Sequence, residues 1–78
     1  MALEQINAVG VAGFGRAALS IIEFCRAHGI SRPTYYNLKK KGLTPREMEV
    51  GARRLISQEA AADWRREREA AAVAEKAA

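Results

Sequence analysis

The sequence predicts a small, mainly α-helical domain that carries one β-hairpin and ends in a long helix. Two short segments with helix-capping residues at both ends, 20–28 and 31–41, are separated by Gly29. An alternating segment around Gly51 is typical of a hairpin, and an alanine-rich segment over 58–76 strongly favours helix. A chain of 78 residues can form one domain with a thin core, but not an active-site cleft of ordinary size as well.

Residues 1–18 are predicted to be a flexible N-terminal arm. Gly10, Gly13 and Gly15 have the spacing GxxGxG, with no clear strand before them and no GK[ST] after them, so we reject a phosphate-binding loop. Three glycines in six residues resist regular structure, although a short added strand or a partner contact is also compatible. The apolar run over 9–14 is too short to span a bilayer, and we identify no secretory signal.

The first predicted helix begins at a capping box formed by Ser20 and Glu23, and Leu19 and Phe24 occupy the positions of a hydrophobic staple. One apolar stripe runs along it at helical spacing, with Ile21, Phe24, Cys25 and His28. We interpret Cys25 as a small core residue and His28 as a half-buried helix end, because no acid is placed to orient either of them for chemistry.

The second predicted helix has Ser31 as its N-cap, Pro33 in its first turn and Gly42 just beyond its end. We expect Thr34, Tyr35 and Leu38 to face inwards. The outward side would carry Arg32, Pro33, Tyr36, Asn37 and Lys40, and no acid occurs in the stretch. Arg and Asn suit guanine and adenine edges in the major groove, while Lys and Tyr suit phosphates. A solvated basic face is the alternative.

Two short helices joined by a tight glycine turn predict a helix-turn-helix arrangement. Cys25 supplies a small side chain where the helices would cross, and Gly29 supplies the turn. An ordinary helical hairpin without a role on DNA is the rival interpretation.

The following segment predicts a β-hairpin with strands near 46–50 and 53–56. Arg53 and Arg54 would then lie at or just after its tip, beside the second helix, and form a wing that touches phosphate or the minor groove. One helix through 45–56 is the alternative structure, and arginines that only keep an edge strand soluble are the alternative role.

The last predicted helix is capped by Ser57, and its charged side chains can pair within it: Asp63 with Arg66, and Arg65 with Glu69. Trp64 is expected to cover the core by packing on Ile56 and the first helix. Residues 70–78 would form an alanine-rich helical tail that projects or frays, unless a neighbouring subunit covers it.

The net charge of +4 is unevenly distributed: residues 1–30 sum to zero, 31–54 to +5 and 55–78 to −1. This concentration indicates a face that binds a polyanion. One cysteine and one histidine exclude an internal disulfide and a usual four-ligand zinc site, and suggest a reducing, intracellular setting. We predict no catalytic residues, no metal site and no cofactor.

Residues 19–69 resemble the MerR-like winged helix-turn-helix group, which includes phage and mobile-element excisionases (recombination directionality factors) and AlpA-type regulators. Three segments carry the resemblance: IIEFCRAHGISRPTYYNLKKKG, MEVGARRLIS and EAAADWRRERE. The resemblance implies a recognition helix in the major groove and a wing on the adjacent minor groove or backbone. By position, the residues facing DNA would be Arg32, Tyr36, Asn37 and Lys40 from the helix and Arg53 and Arg54 from the wing. The arm and the tail lie outside the shared pattern.

The function expected from these patterns is non-enzymatic, sequence-specific binding of double-stranded DNA. The expected DNA-binding residues are Ser31, Arg32, Pro33, Tyr36, Asn37, Lys39, Lys40, Lys41, Arg53 and Arg54. An excisionase that bends or coats DNA is the first hypothesis, and an AlpA-type transcriptional regulator is the second. A small basic adaptor that binds a recombinase or polymerase is the alternative from another class. We expect a cytoplasmic, nucleoid-associated protein of a bacterium or phage, with neighbouring copies of itself on DNA, possible contact with a site-specific recombinase, and no membrane partner.

Overall fold

The computed structural model describes residues 17–77, which form three helices and a three-stranded antiparallel sheet in an α+β arrangement. The elements in chain order are β1 (Ala18–Ser20), α1 (Ile21–His28), α2 (Arg32–Lys40), β2 (Met48–Val50), β3 (Arg53–Ser57) and α3 (Gln58–Ala77). The predicted helices and hairpin are therefore all present, with ends shifted by a residue or two.

The sheet has the strand order β1-β3-β2, so β3 lies at its centre. The β2–β3 hairpin turns at Gly51 and Ala52, and the alternative of one helix over 45–56 is wrong. Gly51 has a φ of 64° and Ala52 a negative φ, the pattern of a type II′ turn whose twist suits a hairpin.

The third strand, β1, was not part of the predicted fold, which had only a hairpin. It pairs Leu19 with Ile56 and Ala18 with Ser57, so Ala18 belongs to the sheet although the predicted arm included it. The short added strand considered for the N-terminal region is therefore real. The rest of the predicted arm, up to residue 16, lies outside the described residues.

Both ends of α1 are closed as the sequence predicted. The Ser20 hydroxyl accepts from the Glu23 amide at 3.1 Å and the Glu23 carboxylate accepts from the Ser20 amide at 2.9 Å, which is the capping box. Gly29 has a φ of 67°, and its amide donates to the Arg26 carbonyl while the Ile30 amide donates to the Cys25 carbonyl. This pair of bonds is a Schellman motif, and it reverses the chain into α2.

All three helices and two of the strands contribute to one core. Phe24, Tyr35 and Ile56 are its largest fully buried side chains. The other buried members are Leu19, Cys25, Ala60 and Ala61, with Ile21, Ile30 and Trp64 packed against them. Cys25 is a core residue and His28 is half-buried, as expected.

Trp64 joins α3 to the rest of the domain. Its ring packs edge-on against Phe24 with centroids 5.1 Å apart, which confirms the predicted packing on the first helix. Its indole N–H also donates to the Leu43 carbonyl at 2.8 Å, so it fastens the connector that follows α2.

The polar contacts of α3 follow the prediction in part. Ser57 accepts from the Ala60 amide at 3.0 Å as the N-cap, and Asp63 pairs with Arg66 as expected. Arg65 contacts the imidazole Nε2 of His28 at 2.9 Å rather than pairing with Glu69, which ties α3 to the end of α1. Within residues 17–77, no helix has both the length and the apolar character that a bilayer crossing requires.

Candidate nucleic-acid interface

Helix α2 has one side in the core and one side in solvent. Tyr35 is fully buried and packs edge-on against Phe24, with centroids 5.9 Å apart, and Leu38 is half-buried. Thr34 was expected to face inwards but is exposed, because at about 100° per residue it lies at the margin of the inward side. Its hydroxyl accepts from Ser31 at 2.9 Å.

Local bonds hold both ends of α2. The Ser31 hydroxyl accepts from the Thr34 amide at 3.2 Å, and Pro33 lies in the first turn, where no amide hydrogen is needed. At the other end, Gly42 has a φ of 71° and donates to the Lys39 carbonyl, while the Leu43 amide donates to the Leu38 carbonyl. This second Schellman motif stops the helix directly after three lysines, where the helix dipole favours positive charge.

All ten residues predicted to bind DNA are exposed. Eight of them come from α2 and its two flanking residues, and two come from β3. The exposed set is Ser31, Arg32, Pro33, Tyr36, Asn37, Lys39, Lys40, Lys41, Arg53 and Arg54. Exposure makes each of them available, but their contacts within the protein differ.

Lys39 and Arg54 are both bound to a carboxylate. Glu47, in the connector before β2, accepts from the Lys39 ammonium at 3.0 Å and from the Arg54 guanidinium at 3.4 Å, both through Oε1. Its second oxygen accepts from the Tyr35 hydroxyl. Arg54 also pairs with Glu49 at 3.3 Å. Glu47 therefore links the inward side of α2 to the base of the hairpin.

The two arginines of the hairpin lie on opposite faces of the sheet. Successive strand residues alternate between faces, so Arg54 shares a face with the buried Ile56, and Arg53 lies on the other face. Arg53 stands opposite Val50 at the tip, and Arg54 opposite Glu49. Both arginines were expected to lie beside α2. Arg54 does so, because it shares the Glu47 carboxylate with Lys39 of α2. Arg53 extends from the other face of the sheet.

Burial and hydrogen bonding act in opposite directions on the pKa of the Glu47 carboxyl. Burial by itself raises the pKa of its carboxyl, but the hydrogen bonds from Tyr35 and Lys39 and the charges of Lys39 and Arg54 outweigh it and lower the pKa. Burial, followed by the bond to Glu47, raises the pKa of the Tyr35 phenol. The phenol is thus a donor and the carboxylate an acceptor at neutral pH.

The connector is also fastened to α3. Arg46 donates to Asp63 at 2.9 Å, and this bond is the main cause that lowers the pKa of the Asp63 carboxyl. Together with the indole bond to Leu43, it holds the connector from the α3 side, while Glu47 holds it from the α2 side. The hairpin therefore starts from a fixed position.

The remaining cations of the set have no ion pair with another described residue. They are Arg32, Lys40, Lys41 and Arg53. Among residues 17–77, the structure thus divides the six predicted cations into four without an ion pair and two that Glu47 binds. Reasoning from the sequence missed Glu47, whose only signal was an acid in the most basic third of the chain.

Within residues 17–77, no group of three or more His, Cys, Asp and Glu side chains is placed to hold a metal ion. Comparison with known proteins adds nothing to these observations: no family model matches the chain, and neither a curated protein nor a solved structure matches it significantly.

Proposed function

We propose that this chain is a sequence-specific, double-stranded DNA-binding protein, with α2 as the recognition helix and the β2–β3 hairpin as the wing of a winged helix-turn-helix domain. The observation that carries the proposal is the exposed side of α2. It presents Arg32, Tyr36, Asn37 and Lys40 without an acid among them, on a helix whose other side is anchored in the core by Tyr35. This is the donor-rich, rigid surface that base and phosphate recognition requires.

In the proposed mechanism, α2 enters the major groove, where some of its side chains recognise bases and others neutralise phosphates. The Arg32 guanidinium matches the two acceptors of guanine, and the Asn37 amide matches the acceptor and donor of adenine. Lys40, Lys41 and the wing residue Arg53 neutralise phosphates and release counterions, which supplies affinity without sequence information.

The excisionase is the biological role that we favour. One short recognition helix covers few base pairs, so useful specificity needs several copies side by side, and such an array would bend or coat DNA and change the direction of a recombinase. The same binding at a promoter would make the protein an AlpA-type transcriptional regulator.

Binding to duplex DNA, measured against salt concentration and in excess random duplex, tests the proposal. Replacement of Asn37 by Ala should remove about 1–3 kcal/mol of discrimination at one base pair. Lys41→Ala should weaken binding to all duplexes equally and reduce the slope of log affinity against log salt by about 0.9. Lys76→Ala is the matched control: it removes the same charge from the far end of α3 and should leave sequence preference intact.

A footprint on the DNA that flanks the gene, and on the ends of any mobile element that carries it, separates the biological roles. Protection at regular spacing across an attachment region supports the excisionase, and protection of a single promoter supports the regulator. Folded protein that shows no protection at low salt would exclude the DNA function and favour a basic adaptor that binds a recombinase or polymerase.

A further inference from the structure

The Glu47 carboxylate lies between α2 and the hairpin and is almost completely enclosed. Its side chain is 7% exposed, whereas Lys39 is 43% and Arg54 51% exposed. Its three donors are the Tyr35 hydroxyl, the Lys39 ammonium and the Arg54 guanidinium. The arrangement consists of one acid with a largely enclosed side chain and two half-exposed cations at its outer edge.

Such a carboxylate depends on its cations. A charge removed from water is costly unless opposite charges and hydrogen bonds compensate it. A phosphate that drew both Lys39 and Arg54 away would leave Glu47 with the Tyr35 hydroxyl as its remaining partner among these three donors. Lys40 and Lys41 have no ion pair with a described residue, so a phosphate can bind them without this cost.

We propose that Glu47 is a positioning residue that keeps Lys39 and Arg54 bound within the protein, sets the hairpin against α2, and leaves phosphate binding to the unpaired cations. The inference rests on the proposed function, and it adds that some basic residues bind phosphate while others hold the fold together. Lys39 and Lys41 are both exposed lysines near the end of the same helix, yet they have different roles. Arg54 and Arg53 differ in the same way at the hairpin.

The slope of log affinity against log salt distinguishes these roles, because it counts the cations that neutralise phosphates. We expect Lys41→Met to reduce the slope by about 0.9 and Lys39→Met to leave it unchanged. Circular dichroism verifies that each variant is folded before its slope is measured.

Removal of the acid gives a second readout that does not depend on Lys39→Met being stable. Glu47→Gln keeps an oxygen that can accept a hydrogen bond but removes the charge that holds Lys39, while Arg54 keeps its ion pair with Glu49. The slope should therefore steepen by about 0.9, which is one phosphate contact. Glu49→Gln is the matched control, since it makes the same change at a carboxylate that is 68% exposed and leaves Arg54 bound to Glu47. Its slope should equal that of the wild type.

Two results would overturn the inference while the proposed function stands: equal reductions of the slope in Lys39→Met and Lys41→Met, or equal slopes in Glu47→Gln and Glu49→Gln. Folded wild-type protein that does not bind duplex at low salt would overturn both. The wild-type measurement therefore separates the two failures.

Discussion

At the scale of single residues, Tyr35 is where the core and the candidate interface meet. Its ring is fully buried beside Phe24, and its hydroxyl donates to Glu47 at the base of the hairpin. Helical periodicity places Tyr35 on the inward side, which the structure confirms. Periodicity could not reveal the partner of the hydroxyl, because Glu47 lies 12 residues away in another part of the fold.

Replacement of Tyr35 by Phe should therefore lower the free energy of unfolding. The ring keeps its packing, but Glu47 loses a donor inside the protein, which costs about 1–3 kcal/mol. Tyr36→Phe removes the same atom from an exposed ring, and it should change stability by less than about 0.5 kcal/mol. Urea denaturation measures the free energy of unfolding of the two variants. Equal losses of free energy in both would contradict the role assigned to the Tyr35 hydroxyl.

The low pKa of Glu47 also predicts a pH dependence. Because folding lowers the pKa of this carboxyl from 4.5, its contribution to stability is complete above about pH 4.5 and disappears as the pH falls through the folded-state pKa. The stability advantage of the wild type over Glu47→Gln should therefore shrink in acid. Denaturation of both proteins in the same buffers cancels the contribution of shared carboxyls such as Asp63. If the stability advantage of the wild type grew as the pH fell, the pKa of Glu47 would be raised by folding and not lowered.

At the scale of elements, the local sequence predicts most of what is observed. The capping box of α1, the N-caps of α2 and α3, and both glycine helix ends depend on residues within five positions of each other. The third strand is different, since β1 forms only when Leu19 reaches Ile56 on the central strand. A three-residue strand carries too short a pattern to be identified without its partner.

The turn between α1 and α2 gives a prediction at this scale. Gly29 has a φ of 67°, and within residues 17–77 no atom beyond its immediate chain neighbours lies within 4 Å of the position that a Cβ would take. Gly29→Ala should thus cost about 1–2 kcal/mol from the left-handed backbone alone, with no steric clash. Gly29→Asn should cost less, since Asn tolerates this conformation better. Thermal denaturation compares the two, and an Ala variant as stable as the wild type would contradict the backbone argument.

At the scale of the whole molecule, the domain extends over the sheet, α1, α2 and the first part of α3. The buried contacts of α3 come from Ala60 and Ala61 in its first turns, with Trp64 packed against the core. Beyond Arg68, the side chains of α3 are exposed except for a half-buried Ala71. A helix of 20 residues is about 30 Å long, so its second half extends past the core.

Truncation after Glu69 should consequently leave the free energy of unfolding within about 0.5 kcal/mol of the full chain, because the removed residues bury little surface. Helical circular dichroism should fall in proportion to the residues removed. Trp64→Phe is the contrasting variant, since it leaves the Leu43 carbonyl without its donor and should cost about 1–3 kcal/mol. If truncation instead lowered the free energy of unfolding by several kcal/mol, residues 70–78 would contribute to the stability of the domain.

Local sequence was enough to predict the helices, their caps and the inward positions of Tyr35 and Leu38, because each depends on neighbours a few positions apart. It favoured the hairpin over one helix through 45–56, and it misplaced Thr34. The tertiary structure alone decided which charged side chains meet across different elements, whereas the pair of Asp63 and Arg66 within α3 was predictable from spacing. Lys39 reaches Glu47 across eight residues, Arg54 reaches it across seven, and Arg65 reaches His28 across 37. Coulomb and hydrogen-bond energies act over a few ångströms of space, and no local pattern records which distant side chains the fold brings within that range.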